Sequence, residues 1–174
     1  MKHLKMPSVG QRLESRLQGH FNVLARKQAK IKLTLDGYAD GKPLKGDEIV
    51  GWLGEVYTKL LLRGELASDD LDYDVKAGNK RVSVKARKGN AKGWNRTSSI
   101  PRVAGTEAPT HLAFLHFDSC YRLRRAWLYP WEEIRRAGRF KKHIVRGQHR
   151  AYVFNVSLTK DKRYVCYESR DLQD

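Results

Sequence analysis

The segment from Asp72 to Lys85, DYDVKAGNKRVSVK, constrains this chain more than any other. Gly78-Asn79 reads as a two-residue turn, because both residue types accept positive φ. With those two as the loop, Ala77 pairs with Lys80, Val75 with Val82, Asp74 with Ser83, and Asp72 with Lys85. Side chains alternate faces along a strand. Tyr73, Val75, Val82 and Val84 therefore share one face, which is expected to meet a core. Asp72, Asp74, Ser83 and Lys85 share the other.

The 174 residues point to one domain, long enough to bury about 70% of its unfolded surface. A 40% apolar and 31% charged composition excludes a disordered chain. The charge balance is the more informative number: 35 Lys and Arg against 19 Asp and Glu, a net of +16. Such self-repulsion is usually relieved by a polyanionic partner. Nucleic acid is the first candidate and an anionic membrane surface the second. Cys120 and Cys166 lie in strand-like, aromatic surroundings without zinc-ligand spacing, so both are expected to be buried thiols in a reducing compartment. Met1–Pro7 holds no secretory hydrophobic stretch, and no run approaches the ~20 apolar residues of a membrane span. A cytoplasmic protein without membrane attachment is expected.

Val9, Leu13, Leu17, Phe21, Val23 and Leu24 recur at helical spacing over residues 8–31, with Ser8 as a cap. Residues 36–43 break the pattern. A second helix should run from Gly46-Asp47 to Arg63-Gly64, capped by Asp47 and closed by Gly64. Its stripe would be Ile49, Leu53, Val56 and Leu60, with Val50, Tyr57 and Leu61 alongside. After the hairpin, residues 88–102 read as a long irregular loop. Thr110–Phe117 is an apolar run typical of a buried central strand, and Arg122–Tyr129 a further strand. Pro130-Trp131-Glu132-Glu133 looks like a helix start. Strands at Tyr152–Leu158 and Tyr164–Glu168 close the chain. The result is one α/β (α+β) domain around a mixed central sheet, with a basic helical segment over 1–45 ahead of a core over 46–174.

The hairpin and the helix before it carry a resemblance. Gly54-Glu55, Asp74 and Ser83-Val84-Lys85 together resemble the PD-(D/E)xK nuclease superfamily, the restriction-endonuclease-like fold. In that family a helix bearing a glutamate precedes a β-hairpin with an aspartate on one strand and an acid-x-lysine triplet on the next. The likeness runs over residues 46–117 in order and type. It implies a Mg²⁺-dependent DNA endonuclease, with Mn²⁺ as a possible substitute. Asp74, Glu55 and the Val84 carbonyl would hold the metal, and Lys85 would orient a water or offset developing charge. One departure stands out: Ser83 occupies the triplet's acid position, and serine is a poor Mg²⁺ ligand. Glu55 would then supply the second carboxylate. Glu48, seven residues earlier, and Asp72, on the Asp74 face, are its rivals.

The stretch leaving Lys85 carries Arg87, Lys88, Lys92, Trp94, Arg96 and Arg102 among small hydroxyls, a pattern suited to phosphate contacts and a base-stacking tryptophan. A second basic block runs from Arg135 to His143 and on to Arg146 and Arg150, and is expected to track a nucleic-acid backbone. Its bland counterpart is a solvated charge run. The histidines show no metal-ligand spacing. Neither a Gly-rich phosphate loop nor a nucleophile elbow is present, which argues against nucleotide-driven motors and ester hydrolases. The expected function is a restriction-type DNA endonuclease acting as a homodimer. A junction-resolvase-like nuclease and a catalytically silent binding module of the same fold are the alternatives.

Overall fold

The computed structural model describes residues 8–42, 48–68, 70–90, 93–100, 108–118 and 121–169. Helix α1 (Ser8–Asp36) leads into α2 (Ile49–Leu62). Strands β1 (Glu65–Leu66), β2 (Val75–Ala77), β3 (Lys80–Asn90), β4 (Gly93–Trp94), β5 (Thr97–Ile100), β6 (His111–Phe117) and β7 (Leu123–Pro130) follow. Helix α3 (Trp131–Arg136) then precedes β8 (Lys141–Val145), β9 (Gln148–Asn155) and β10 (Val165–Glu168). A seven-stranded mixed sheet has the order β1-β2-β3-β6-β7-β10, with β4 folded back on β3. A second sheet has the order β5-β9-β8. The expected α+β architecture is therefore present.

The pairing of β3 with β6 is parallel, and the other pairings of the large sheet are antiparallel. A parallel pair needs a crossover connection. Here the connection contains β4 and β5, and β5 joins the second sheet. Each face of the large sheet thus has its own core. On one, Val82, Val84, Ala113 and Leu115 meet Trp52 and Val56 of α2. On the other, Leu112, Phe114, Trp127 and Tyr129 lie with Ile100, Phe154 and Val156.

Several expectations are corrected. The buried face of α2 is Trp52, Gly54, Glu55, Val56 and Thr58, while Leu60 and Leu61 are exposed. Ile49, Val50, Leu53, Val56 and Tyr57 of the expected stripe do pack on the core, and Gly54, Glu55 and Thr58 extend the seat in a way the stripe does not reveal. Its left-handed terminal residue is Arg63 (φ 51°), not Gly64. Glycine is required at 64 for another reason: a Cβ there would stand 2.5 Å from the Lys76 carbonyl oxygen. Asp47 lies outside the described residues. The supposed loop 88–102 contains the end of β3 and all of β4 and β5. The block 141–145 is a strand. Cys166 is exposed on the outer strand β10, its Sγ donating to the Ala126 carbonyl at 3.5 Å, and Cys120 lies outside the described residues. Among the described residues, no helix is long and apolar enough to cross a membrane.

An unanticipated buried ion pair ties the second sheet's connection to the large sheet. Asp161 is fully buried and accepts both arms of Arg139 at 2.8 Å, the Tyr129 hydroxyl at 3.0 Å and the Ser157 N–H at 2.8 Å. Burial opposes ionisation of Asp161, but these donors outweigh it and hold the carboxyl below its usual range.

Candidate active site

Where the hairpin is paired its register is the expected one: Ala77 faces Lys80, Lys76 faces Arg81, and Val75 faces Val82, while the expected pairs Asp74–Ser83 and Asp72–Lys85 lie beyond the last rung. Gly78 alone of the turn pair is left-handed (φ 58°), as a Gly-first two-residue turn requires. Tyr73, Val75, Val82 and Val84 are buried on one face.

Asp74 sits just past the last rung of β2. Its N–H donates to the Val82 carbonyl at 2.9 Å, and its carbonyl accepts from the Ala67 N–H at 2.9 Å. Its carboxylate Oδ2 accepts the Val84 N–H at 2.7 Å. The aspartate therefore caps the edge of β3 where β2 has ended, through a charge-assisted bond that fixes its rotamer. A strand residue turns its N–H and C=O to one edge, so the Val84 carbonyl faces this edge too.

On the other face of the hairpin, Asp72, Asp74, Ser83 and Lys85 line a cavity of about 200 Å³. Asp74 and Lys85 are half-buried, Asp72 is exposed, and Ser83 is 7% exposed. Leu71, Ile100, Pro109 and Trp131 form its apolar walls. Those walls come from four separate parts of the chain, and nothing in the local sequence marks them. Arg81 helps set one of them. Its guanidinium donates to the Ala108 carbonyl at 3.1 and 3.2 Å, and its N–H to Thr110 Oγ1 at 2.9 Å. The Thr110 carbonyl in turn accepts the Trp131 N–H at 2.9 Å.

Glu55 is placed differently. Its neighbour Gly54 packs on Val84 and Ala86, whose side chains point away from the cavity, so α2 covers the opposite face of β3. Glu55 is 8% exposed and does not line the cavity. It is carried by the helix that covers the Val84 stretch of β3, the strand Asp74 caps from its edge. Glu48 is exposed at the helix N-cap. Of the two rival acids, only Asp72 shares the cavity with Asp74 and Lys85.

The residues read as nucleic-acid contacts also divide. Lys88 is exposed, its ammonium 3.8 Å from the centre of the Tyr121 ring. Arg96 is exposed. Lys92 and Arg102 lie outside the described residues. Trp94 is half-buried, stacked on His116 at 4.2 Å and near Trp127 at 5.7 Å, so its ring faces inward. Burial, then Arg125 and Arg124, lower the pKa of His116 to about 4, against a smaller opposing effect of Asp118. Arg87, the first cation expected to meet phosphate, is instead engaged within the fold: it donates to the Thr97 carbonyl and to Ser98 Oγ, both at 3.0 Å, and ties β5 to β3.

Neither the family models nor the curated proteins contain a match to this sequence.

Proposed function

We propose that this protein is a metal-dependent endodeoxyribonuclease of PD-(D/E)xK type, acting in the cytoplasm. One observation carries the reading: Asp74 and Lys85 of the resemblance line a common cavity on a rigid hairpin, in a chain of net charge +16.

The donor set suits a hard cation. Mg²⁺ takes oxygen ligands, with one or two carboxylates and several retained waters. The cavity offers the Asp72 and Asp74 carboxylates and the Ser83 hydroxyl, and its roughly 200 Å³ is space for about six waters. Asp74 would hold the ion, with Asp72 as the second carboxylate of the same cavity and Glu55 as the one the resemblance supplies; Mn²⁺ suits the same donors. Bound there, the ion would supply stabilisation of phosphoryl charge and a more acidic water.

The chain's own groups do the rest. The Asp74 carboxylate is pre-oriented by the Val84 N–H, so its position costs no reorganisation. Lys85 presents a compact positive charge to a phosphate entering the cavity, offsetting charge that develops on the non-bridging oxygens. The walls of Ile100, Pro109 and Trp131 displace water from one side and strengthen that attraction. Arg96 and Lys88 hold flanking backbone, a contribution that weakens with salt. Cutting both strands would take a homodimer, one site per strand.

Ser83 supports a second reading, a binding module of this fold without catalysis, because a hydroxyl stands where the family carries an acid. Purified protein with supercoiled plasmid and with a four-way junction, in Mg²⁺ and in Mn²⁺, separates the two. Nicking of either substrate is expected. Binding without nicking in both metals favours the silent module.

A further inference from the structure

The basic block read from the sequence splits into two populations. Arg135 and Arg136 pair with Glu132 at 2.6 and 2.9 Å, and Arg139 is clasped by Asp161. These arginines are engaged within the fold. Lys141, Lys142, Arg146 and Arg150 are not: among the described residues, none of them has a side-chain hydrogen bond or an ion pair. All ten residues from Lys141 to Arg150 are exposed, and none is acidic. A two-stranded ribbon carrying only cations and neutral groups repels itself, and a polyanion relieves that.

Its location narrows the partner. Among the described residues, the last rung between β5 and β9 is Ile100 opposite Tyr152, and Ile100 is a wall of the Asp74 cavity. Beyond that rung, among the described residues, β8 and β9 pair with each other alone, through His143–Ala151, Ile144–His149 and Val145–Gln148. Arg146 and Gly147 close the ribbon, both left-handed (φ 49° and 77°), as a tight hairpin turn demands. These three rungs at ~3.4 Å each span about 10 Å. The register slips between His143 and Ile144, so Arg150 is the extra residue of a bulge, a device that re-aims a side chain. Near the tip, Ile144 is 60% exposed.

A B-form major groove, about 12 Å wide and 8.5 Å deep, admits such a ribbon; the deep, narrow major groove of A-form RNA does not. We propose that the β8–β9 ribbon enters the major groove of duplex DNA next to the candidate cleavage cavity. Lys141, Lys142, Arg146 and Arg150 lie against the flanking phosphates, and Ile144 and His149 meet base edges. This rests on the nuclease reading for the choice of DNA and adds to it the element that reads the duplex.

The test is fluorescence anisotropy of the full-length protein with a 20-base-pair DNA duplex and its RNA counterpart, divalent ions chelated, over a salt series. Lys142→Ala/Arg146→Ala/Arg150→Ala should weaken DNA binding at least tenfold at low salt. It should also flatten the log–log salt slope by about 3, one unit per lost phosphate contact. RNA-duplex binding should change much less. Ile144→Ser should keep the salt slope but alter which duplexes are selected from a random pool. Unfolding midpoints near wild type confirm that these exposed positions leave the fold intact. Wild-type affinity and slope in the triple variant overturn the proposal, as does an equal loss on RNA. A wild type that binds DNA through the ribbon but nicks nothing contradicts the nuclease reading alone. A wild type that nicks, with a triple variant that binds and nicks equally well, contradicts the ribbon alone.

Discussion

Substituting Gly54 tests how α2 is seated on the strand that carries Lys85. A methyl group at this position would lie 2.8 Å from the Ala86 Cβ and 3.2 Å from Val84 Cγ1. Carbon–carbon contacts settle at ~3.5–4 Å, so the helix must lift by roughly 1 Å. Neither neighbour can swing aside easily: the Ala86 Cβ is fixed to the backbone of β3, itself paired to β6. Overpacking of this kind destabilises by about 1–3 kcal/mol, offset by up to ~1 kcal/mol of helix propensity gained on replacing glycine. Gly51 supplies the control. It lies in the same helix with nothing within 4 Å of its added Cβ, so Gly51→Ala should gain up to ~1 kcal/mol. The two variants should differ by about 1–3 kcal/mol, a Tm gap on the order of 2–10 °C for a chain of this size. Thermal unfolding followed by circular dichroism measures it. Because Val84 and Ala86 flank Lys85, plasmid nicking should also fall in Gly54→Ala and persist in Gly51→Ala. A Gly54→Ala protein that unfolds at or above the temperature of Gly51→Ala refutes this seating of the helix, and with it the placement of Glu55 against β3.

Three further outcomes follow from named contacts. Asp161→Ala leaves the buried Tyr129 hydroxyl unpaired and Arg139 with the Asn155 carbonyl in place of its counter-ion, and should lower stability by about 3–5 kcal/mol, visible as a Tm drop on the order of 10 °C; a drop under 2 °C would contradict the ion pair. His116 is neutral in the fold well below its ordinary pKa, so the unfolded chain binds the extra proton, and stability is present above pH ~6.5 and lost as pH falls toward 4. The full shift corresponds to about 3 kcal/mol, reduced to about 1–2 for a half-exposed ring, and His116→Gln should flatten that part of the stability–pH curve. Glu55→Gln should slow nicking while Glu48→Gln, at the exposed N-cap, should not; the reverse order would transfer the ligand role to Glu48.

The hairpin was legible because its signals are local: a glycine that tolerates left-handed backbone, flanked by strict alternation of Val and Tyr with polar residues. Ser83 and Lys85 share the cavity face by that alternation, while Asp72 and Asp74 reach it from beyond the last rung of β2. The seating of α2 was legible in part: Ile49, Val50, Leu53, Val56 and Tyr57 pack on the core as their spacing suggests, while Gly54, Glu55 and Thr58 are buried and contribute nothing to an apolar stripe. Strands β4 and β5 are short and made of Gly, Trp, Thr, Ser and Ile. The pairing that makes β5 a strand is with β9, more than fifty residues onward. Strand β8 is rich in Lys and His with every residue exposed, so cross-strand hydrogen bonds define it rather than burial. The walls Ile100, Pro109 and Trp131, and the Asp161–Arg139 pair, depend on contacts between distant segments. No window of sequence carries that information.

The account depends on Asp74 and Lys85 acting together on one phosphodiester. The most direct check compares plasmid nicking in Mg²⁺ by wild type, Asp74→Asn and Lys85→Ala, with duplex binding measured on the same preparations. Each variant should lose about 10²–10³-fold or more in rate, as removal of a group stabilising transition-state charge does, while binding stays within about twofold because other cations dominate it. Nicking at the wild-type rate by either variant, with the protein folded and bound to DNA, would contradict it.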